Sequence, residues 1–393
     1  MYFKNSLSES FSLFTKKHTE VNSVTPHQIY YPENLEEIQN IIVDNPGQTI
    51  RSSGDNHSCN NIFLTNDIII RTDKLNNIIN LDKEKQELTV ESGCSIEDIC
   101  KYLEHEELAI DISDNLLQTL GDVCSTAAHG SNLDTGTMSD QLVDVTVVLS
   151  NGHVRRIEFD DPEFPAYATS LGSLGIIYSI TLKCVEYYFI QTERIIGKWA
   201  NIKKNIINLL DDYALTTIHI KPVSLQTTIV LRKKVPLKKM VSSSTPEPYY
   251  KVLTAAESGK YTKSDVSIPY ERVVEAVDDV LKLSKSQKIS DYKLSICFTG
   301  PDYNSWLSPT SGRSSAWIQI TTLKDITQKF IQDYEDLLLY KYSGRPNWTT
   351  GKFINTYKMR LLYGISIDYI RRVRERFDPT LTFSNDFIAS VFN

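Results

Sequence analysis

Three short segments in the first half of the chain combine glycine with small hydroxyl side chains, and two of them also contain a histidine. Residues 51–58 read Arg-Ser-Ser-Gly-Asp-Asn-His-Ser, residues 119–131 end in His-Gly-Ser, and residues 170–177 read Ser-Leu-Gly-Ser-Leu-Gly-Ile-Ile. We expect Gly54 to adopt a positive φ that turns backbone N–H groups toward an anion, with the hydroxyl groups as further donors. One such turn alone is typical of a protein surface. Three together predict a cleft for a diphosphate-bearing cofactor such as a flavin nucleotide.

Periodic elements surround these segments and must position them. Residues 34–43 have apolar side chains at helical spacing after a Pro-Glu-Asn start, and residues 95–103 form a second capped helical pattern. Residues 63–71 and 86–92 alternate as strands, and the run 48–51 leads as a strand into the first glycine turn. The order of these elements predicts a small mixed unit of helices and strands around the glycine segments.

The pattern changes in the second half of the chain. Strands are predicted over 216–231 and 294–297, and helices over 270–283 and 323–341. Residues 234–268 are rich in Lys, Ser, Thr and Pro and are predicted to form a flexible excursion. The sequence therefore predicts a second unit of strands and helices.

Composition favours an enzyme of two domains and excludes several other classes. The chain has 393 residues, 41% of them hydrophobic, and a net charge of −7 with a pI near 5.6. The acidic balance argues against nucleic-acid binding, and no apolar run approaches the roughly 18 residues of a membrane span. The N-terminal residues lack a signal-peptide pattern, and the six cysteines show no Cys-x-x-Cys spacing. We expect reduced thiols in a cytoplasmic protein without a metal site.

Five segments resemble the vanillyl-alcohol oxidase superfamily, whose members share the PCMH-type FAD-binding domain, and within it the branch of sugar-1,4-lactone and alditol oxidases. They are the turn at 54–58, the segments 121–131 and 170–177, Gly-Arg-Pro-Asn-Trp-Thr-Thr-Gly-Lys over 344–352, and Asp-Pro-Thr-Leu-Thr-Phe-Ser-Asn over 378–385.

The resemblance implies an α+β fold with two domains. One is a two-subdomain PCMH-type FAD-binding domain over residues 1–185, completed by 346–393. The other is a substrate or cap domain over 186–345, made of an antiparallel sheet covered by helices. The boundary follows the change of sequence pattern near residue 185.

The resemblance also implies FAD as the cofactor. His57 is expected to bond covalently to the flavin 8α-methyl group through its imidazole. His129 is interpreted as a hydrogen-bonding residue under the flavin ring rather than as a base. The residues expected to contact the cofactor, besides His57, are Ser53, Gly54, Asp55, Asn56, Ser58, Gly121, Ser125, Thr126, His129, Gly130, Gly175, Ile177 and Asn385.

Three residues are predicted to serve catalysis. Lys352 corresponds to a family lysine near the flavin and substrate, where positive charge assists hydride arrival, although two extra residues separate it from Trp348. Gln319 stands where the family often has His, and Thr321 shares its face of a period-2 strand. We expect Gln319 and Thr321 to orient the substrate.

A Glu-x-Arg pair that contacts substrate in this branch is missing. Counting back from the Trp-Leu-Ser-Pro motif, its positions are Ile296 and Phe298, which would form an apolar wall of the substrate site. A register shifted by one residue would instead present a face made of Ser295, Cys297 and Thr299, again without a carboxylate. Free polyols are therefore expected to be poor substrates. A sugar with an apolar, nucleotide or other bulky substituent is favoured.

The predicted function is FAD-dependent oxidation of a CH–OH group in a sugar, sugar lactone or sugar derivative. Hydride would pass to flavin N5 and the electrons to O2, so the expected partners are a small sugar-like substrate and O2 or another acceptor. Two alternatives stay open: a dehydrogenase with a different acceptor, and a flavin-binding protein with little turnover. A NAD-dependent enzyme is disfavoured because no strand-linked Gly-x-Gly-x-x-Gly motif is present.

Overall fold

The computed structural model describes residues 25–54, 58–112, 116–237, 247–253, 261–322 and 327–393. Within this part of the chain, helices and strands are mixed throughout, which confirms the α+β class. The described residues form a three-stranded sheet, a five-stranded sheet and a two-stranded pair in the N-terminal half, and one large antiparallel sheet in the C-terminal half. Three separate apolar cores accompany them.

The first sheet is small and parallel. Its strands, in the order β1-β3-β2, are β1 (Gln28–Tyr30), β2 (Ile50–Ser53) and β3 (Ile68–Arg71). Helix α1 (Leu35–Asp44) begins after Asn34, whose side chain accepts the N–H of Glu37. Its three buried isoleucines recur at helical spacing and belong to the core of this sheet.

The second sheet is antiparallel, in the order β4-β5-β9-β7-β8. Its strands and a separate pair, β6 with β10, are β4 (Ile78–Asp82), β5 (Glu87–Glu91), β6 (Leu108–Ala109), β7 (Leu142–Val148), β8 (Val154–Glu158), β9 (Ile176–Lys183) and β10 (Val185–Glu186). The helices of this region are α2 (Ile96–His105), α3 (Leu120–Ser125) and α4 (Phe164–Ala168). Buried side chains of all three helices and of the sheet form one apolar core.

The third sheet is large and antiparallel, in the order β14-β11-β13-β12-β16-β17-β15-β18 among the described residues. Its strands are β11 (Tyr188–Lys198), β12 (Leu215–Ile220), β13 (Gln226–Pro236), β14 (Glu247–Pro248), β15 (Thr262–Pro269), β16 (Lys293–Thr299), β17 (Ser315–Thr322) and β18 (Arg345–Pro346). The accompanying helices are α5 (Trp199–Ile202), α6 (Ile206–Asp212), α7 (Tyr249–Val252), α8 (Val273–Ser286) and α9 (Gln328–Tyr342). Helices α8 and α9 cover one face of this sheet.

The C-terminal segment returns to the N-terminal half. Its helices are α10 (Thr356–Tyr363), α11 (Ile365–Phe377) and α12 (Asp386–Phe392). Met359, Ile367 and Phe392 belong to the same apolar core as the second sheet. The chain end therefore contributes to the packing of the region that carries the glycine segments.

The burial of side chains on strand β16 distinguishes between the two registers considered above. Leu294, Ile296 and Phe298 are fully buried in the core under helices α8 and α9. Phe298 packs in this core, so the expectation that it forms a wall of the substrate site is wrong, whereas Ile296 also borders a cavity on the other face of the sheet. Because side chains alternate across a strand, Ser295 and Cys297 project from the opposite face. The register shifted by one residue is the one that presents side chains away from the core.

Strand β15 is the largest departure from the sequence prediction. Residues 234–268 were expected to be a flexible excursion, yet β15 pairs with β17 along its whole length and lies inside the sheet. Ser264, Asp265 and Ser267 are fully buried, and each side chain makes a hydrogen bond. Their polarity resembles that of a loop, but each of the three side chains has a hydrogen-bond partner inside the protein. Residues 238–246 and 254–260 lie outside the described part.

Most other predicted elements are present with different ends. The helices predicted over 34–43, 95–103 and 270–283 are confirmed as α1, α2 and α8. The strand predicted over 63–71 exists only at its C-terminal end, as β3. The run 216–231 contains two strands, β12 and β13, which pair with each other. Element ends are set by tertiary contacts that a local pattern does not contain.

Candidate functional site

The three glycine segments converge on one cleft between the first two sheets. We call this cleft, lined among others by Ser53, Gly121 and Gly175, the glycine cleft. The predicted cofactor residues that line it are Ser53, Ser58, Gly121, Ser125, Thr126, Gly175 and Ile177. Asp55, Asn56 and His57 lie outside the described residues. Segments that are far apart in sequence therefore meet at one place, as their shared chemistry predicted.

Gly54 is required for close approach rather than for a positive φ, so that expectation is wrong. Its φ lies outside the positive range, and its backbone N–H donates to the Asp122 carboxylate at 3.2 and 3.3 Å. A Cβ at this position would lie 2.1 Å from Thr119 Oγ1. Any side chain would collide with the start of α3, so glycine lets the first two segments touch.

Two other glycines permit similar approaches. Gly175 has φ +145, and a Cβ there would lie 2.8 Å from the Val148 carbonyl oxygen. A Cβ at Gly121 would lie 3.0 Å from the Ser92 carbonyl oxygen. The cleft is therefore walled by backbone and short side chains, which leaves peptide groups accessible to a ligand.

Arg51 is a structural residue of the cleft that the sequence analysis quoted but did not assign. Its guanidinium donates to four backbone carbonyl groups at 2.7 Å, those of Ile62, Leu171, Gly172 and Phe383. Burial lowers its pKa from 12.5 to about 9. Arg51 ties the first glycine segment to the third segment and to the C-terminal tail. The available signal was a charged residue at the end of the strand predicted over 48–51.

Asn385 also connects segments and does not line the glycine cleft or either of the two further cavities described below. Its side-chain amide donates to the carbonyl groups of Asn61, Ile62 and Leu64, and its oxygen accepts the N–H of Ile388 at the start of α12. Asn385 therefore fixes the loop after the first glycine turn.

A second cavity of about 310 Å³ lies against the face of the large sheet that points away from α8 and α9. We call it the sheet cavity. Gly130 and Ser131 line it from the second glycine segment. Across from them, strands β12, β13, β16 and β17 contribute Thr217, His219, Arg232, Ser295, Cys297 and Gln319. Thr321 follows Gln319 on the same strand face, between its register partners Lys293 and Lys263, both of which line the cavity.

His129 is buried between the glycine cleft and the sheet cavity. Its Nε2 lies 2.8 Å from Asp265 Oδ2, and its ring stacks on Trp317 with centroids 3.7 Å apart. Its Nδ1 lies 3.1 Å from the Gly130 carbonyl oxygen and 3.7 Å from Cys297 Sγ. These contacts occupy both ring nitrogens and one ring face.

The charge state of His129 follows from these neighbours. Burial acts to lower its pKa, but the charges of Asp265 and Cys297 outweigh burial and raise the pKa well above 6.5. A protonated imidazole donates to Asp265 and has no free lone pair. This geometry fits a structural hydrogen-bonding residue better than a base.

Lys352 lies at a third cavity, of about 400 Å³, which it lines with Cys59 and Phe353. Its Nζ donates to the Cys59 carbonyl oxygen at 2.6 Å, and its backbone N–H donates to Glu335 at 3.0 Å. It is not among the described residues that line the sheet cavity. Cys59 directly follows Ser58, so the Lys352 ammonium group contacts the end of the first glycine segment.

Thr349 and Thr350, the two residues inserted before Gly351, have distinct positions. Thr349 lines the glycine cleft, and its carbonyl oxygen accepts the N–H of Cys59. Thr350 is buried, and its hydroxyl has no hydrogen-bond partner among the described residues. The segment after Trp348 therefore closes one side of the glycine cleft.

Known families match both halves of the chain. Residues 26–158 match the FAD binding domain model, and residues 190–391 match the model for D-arabinono-1,4-lactone oxidase. The second match alone covers more than half of the chain. The chain belongs to the D-arabinono-1,4-lactone oxidase family. It is an FAD-dependent oxidoreductase that acts on CH–OH donors.

Relatives of this family align over nearly the whole chain. The L-gulono-1,4-lactone dehydrogenase of Mycobacterium tuberculosis is 23% identical over 93% of this chain and 96% of its own length. The L-gulonolactone oxidase of Mus musculus is 22% identical over 94% and 96%. A solvent-stable cholesterol oxidase has the same fold, with a TM-score of 0.81, 15% identity and complete coverage of both chains. The predicted PCMH-type architecture is therefore confirmed.

The glycine cleft fits the FAD that this family binds. Its hydroxyl groups, exposed backbone and closely approaching glycines suit a diphosphate. Ser53, Ser58, Ser125 and Thr126 would hold the cofactor together with the backbone near Gly175. When bound, FAD supplies the hydride acceptor.

No helix in the described part of the chain combines the length and the apolar character that crossing a bilayer requires.

Proposed function

We propose that the protein oxidises a CH–OH group of a sugar lactone or sugar derivative in the sheet cavity and passes the electrons to O2. One observation carries this proposal. Ser125 and Thr126 line the glycine cleft, and five residues later Gly130 and Ser131 line the sheet cavity. A single short segment thus borders both the cofactor cleft and a cavity large enough for a sugar.

We assign the two cavities to two domains with different functions. We assign the FAD-binding domain to residues 1–185 and 346–393 and the substrate domain to 186–345. The large sheet supplies the floor of the sheet cavity, whereas the return of α10, α11 and α12 to the second sheet's core supports the assignment of the tail.

Side chains on the sheet would orient the substrate. Gln319 and Ser295 are register partners on adjacent strands, and both line the sheet cavity. Their amide and hydroxyl groups can donate and accept hydrogen bonds, which suits sugar oxygens. Trp317 lies on the same strand face as Gln319, and its buried stack with His129 supports this side of the cavity. Thr321 extends the same face.

Lys352 stays the proposed cation beside the cofactor. Its contact with Cys59, next to Ser58 of the glycine cleft, supports a location at the segment that holds the cofactor. We also propose the covalent bond through His57, on the strength of the Gly54-x-x-His57-Ser58 turn. The buried thiols of Cys94, Cys100, Cys124 and Cys184 support the proposal of a reducing, cytoplasmic location.

A dehydrogenase with another electron acceptor is the second candidate. It is favoured by the Mycobacterium tuberculosis relative, which is named a dehydrogenase. A flavin-binding protein with little turnover is the third, favoured by Ser295 and Cys297, because neither bears a carboxylate or guanidinium.

Anaerobic mixing of purified holoprotein with L-gulono-1,4-lactone and D-arabinono-1,4-lactone tests these candidates. An oxidase should lose its yellow colour under nitrogen and regain it in air. Bleaching without rapid recolouring in air indicates the dehydrogenase. A flavin that stays oxidised with every lactone and sugar derivative tested would contradict turnover.

A further inference from the structure

Cations are concentrated on the face of the large sheet that lines the sheet cavity. Lys293 on β16 and Lys263 on β15 are both register partners of Thr321, so they flank it across three adjacent strands. Both lysines line the cavity. Arg232 on β13 lines it from the other side of β12. The chain as a whole has a net charge of −7, so this concentration is local.

Arg232 is the most constrained of these cations. Its Nη1 donates to Thr217 Oγ1 at 3.1 Å, while its Nε is buried without a hydrogen-bond partner among the described residues. Burial lowers its pKa below 12.5, and the nearby charge of Arg194 lowers it further. A partly buried guanidinium beside another cation is costly unless an anion approaches it.

The acidic groups near the cavity form hydrogen bonds with residues other than Arg232 and Lys293. Asp111 is the acidic residue among the described residues that line the cavity. Its carboxylate accepts hydrogen bonds from Lys234 Nζ at 3.0 Å and from Tyr188 Oη at 3.2 Å. Asp265, the register partner of Gln319, binds His129 through Oδ2, and its buried Oδ1 has no hydrogen-bond partner among the described residues. Neither carboxylate is hydrogen-bonded to Arg232 or Lys293 in the described structure.

The pKa of His219 also reflects the positive charge of Lys293 and Arg232. Its Nδ1 lies 3.0 Å from Ser295 Oγ. Burial, followed by the charges of Lys293 and Arg232, lowers its pKa from 6.5 to about 4. His219 is therefore neutral at pH 7 and adds a polar contact rather than a further charge.

We propose that the substrate of this site carries an anionic group, a phosphate or a carboxylate, which Arg232 and Lys293 bind in the sheet cavity. This inference rests on the proposed function, because it names the class of sugar derivative that the cavity accepts. An anion would pair with the buried guanidinium through charge-assisted hydrogen bonds. A neutral polyol or lactone would leave Arg232 desolvated and without a counter-ion.

Binding to FAD-loaded holoprotein tests the proposal without turnover. The probes are D-glucose, D-glucose 6-phosphate and D-glucuronate, followed by calorimetry and by the visible flavin difference spectrum. At least one anionic probe should bind about 10- to 100-fold more tightly than D-glucose. Tighter binding of the phosphate or of the carboxylate identifies the anion. Equal binding of all three probes overturns the proposal.

Matched variants locate the site. Arg232→Gln should remove most of the preference for the anion, and Lys293→Gln, at an exposed position, should reduce it without risk to folding. Lys233→Gln makes the same charge change at the next residue, which faces the other side of β13 over Tyr213, and should have no effect. Equal losses in Lys233→Gln and Arg232→Gln, or no loss in Arg232→Gln and Lys293→Gln, would refute the assignment.

Anaerobic flavin reduction separates this inference from the proposed function. If neutral lactones bleach the flavin equally in the wild type and Arg232→Gln, and anionic sugars have no advantage, the function stands and this inference fails. If no sugar bleaches the flavin but anionic probes bind in an Arg232-dependent manner, the inference stands and the proposed function fails.

Discussion

The glycine cleft and the sheet cavity lie side by side but are built in different ways. The cleft is made by three short segments, and its lining consists largely of backbone groups, glycines and small hydroxyl side chains. The cavity floor is made by side chains from strands that are far apart in sequence and that meet only through strand register. A cofactor shared by a whole family can be held by backbone, whereas a particular substrate must be selected by side chains.

The largest expected effect concerns the cleft. In the wild type, FAD should stay with the acid-denatured pellet, because His57 is proposed to bond it covalently. His57→Ala should release the cofactor completely into the supernatant, as measured by absorbance of the two fractions. His129→Gln, at the other histidine of the glycine segments, is the control and should keep the colour in the pellet. Release from the wild type would disprove the bond but leave FAD binding intact.

Loss of Arg51 should damage the architecture of the cleft. Arg51→Met leaves four buried carbonyl groups without their donor, and each unmade bond costs about 1–3 kcal/mol. We expect a loss of at least about 3 kcal/mol in the free energy of unfolding, measured in urea, together with reduced FAD content. Arg360→Met, whose exposed side chain pairs with the exposed Asp368, should cost less than about 1 kcal/mol. Similar stability of the two variants would show that Arg51 does not tie the segments together.

Lys352 tests whether charge at the edge of the cleft serves chemistry. Lys352→Ala should slow flavin reduction by about 10²- to 10³-fold, since a contact with developing negative charge is typically worth roughly 2–4 kcal/mol. Stopped-flow reduction under nitrogen measures the rate, and Lys358→Ala, whose ammonium group pairs with Asp336, is the control. Wild-type kinetics in Lys352→Ala would restrict this lysine to its contact with Cys59.

Loss of the contact between His129 and Asp265 should give a smaller and pH-dependent effect. Asp265→Asn removes the charge that raises the pKa of His129, with an expected cost of about 1–3 kcal/mol in the free energy of unfolding. A raised pKa in the folded state stabilises the protein fully below the unfolded value near 6.5, and the stabilisation disappears as pH rises through the folded value. The deficit of the variant in urea unfolding should therefore be larger at pH 6 than at strongly alkaline pH. A deficit that does not change with pH would mean that His129 is not charged in the fold.

The same contrast explains what the sequence could reveal. The glycine segments could be predicted from the sequence because residues close together in the chain, such as Gly121 to Ser131, also lie close together in the structure. Phe298 was wrongly placed in the wall of the substrate site because one residue of register moves every side chain of a strand to the other face. Strand β15 was missed because Ser264, Asp265 and Ser267 look like loop residues until their buried partners are known.

The most direct test of the two-cavity account is an experimental structure of the holoprotein with FAD and a bound anionic sugar. The account predicts FAD phosphates in the glycine cleft beside Ser53, Ser125 and Gly175, and the sugar in the sheet cavity in contact with Gln319 and Arg232. Cofactor phosphates outside this cleft, or a sugar at the third cavity beside Phe353, would contradict it.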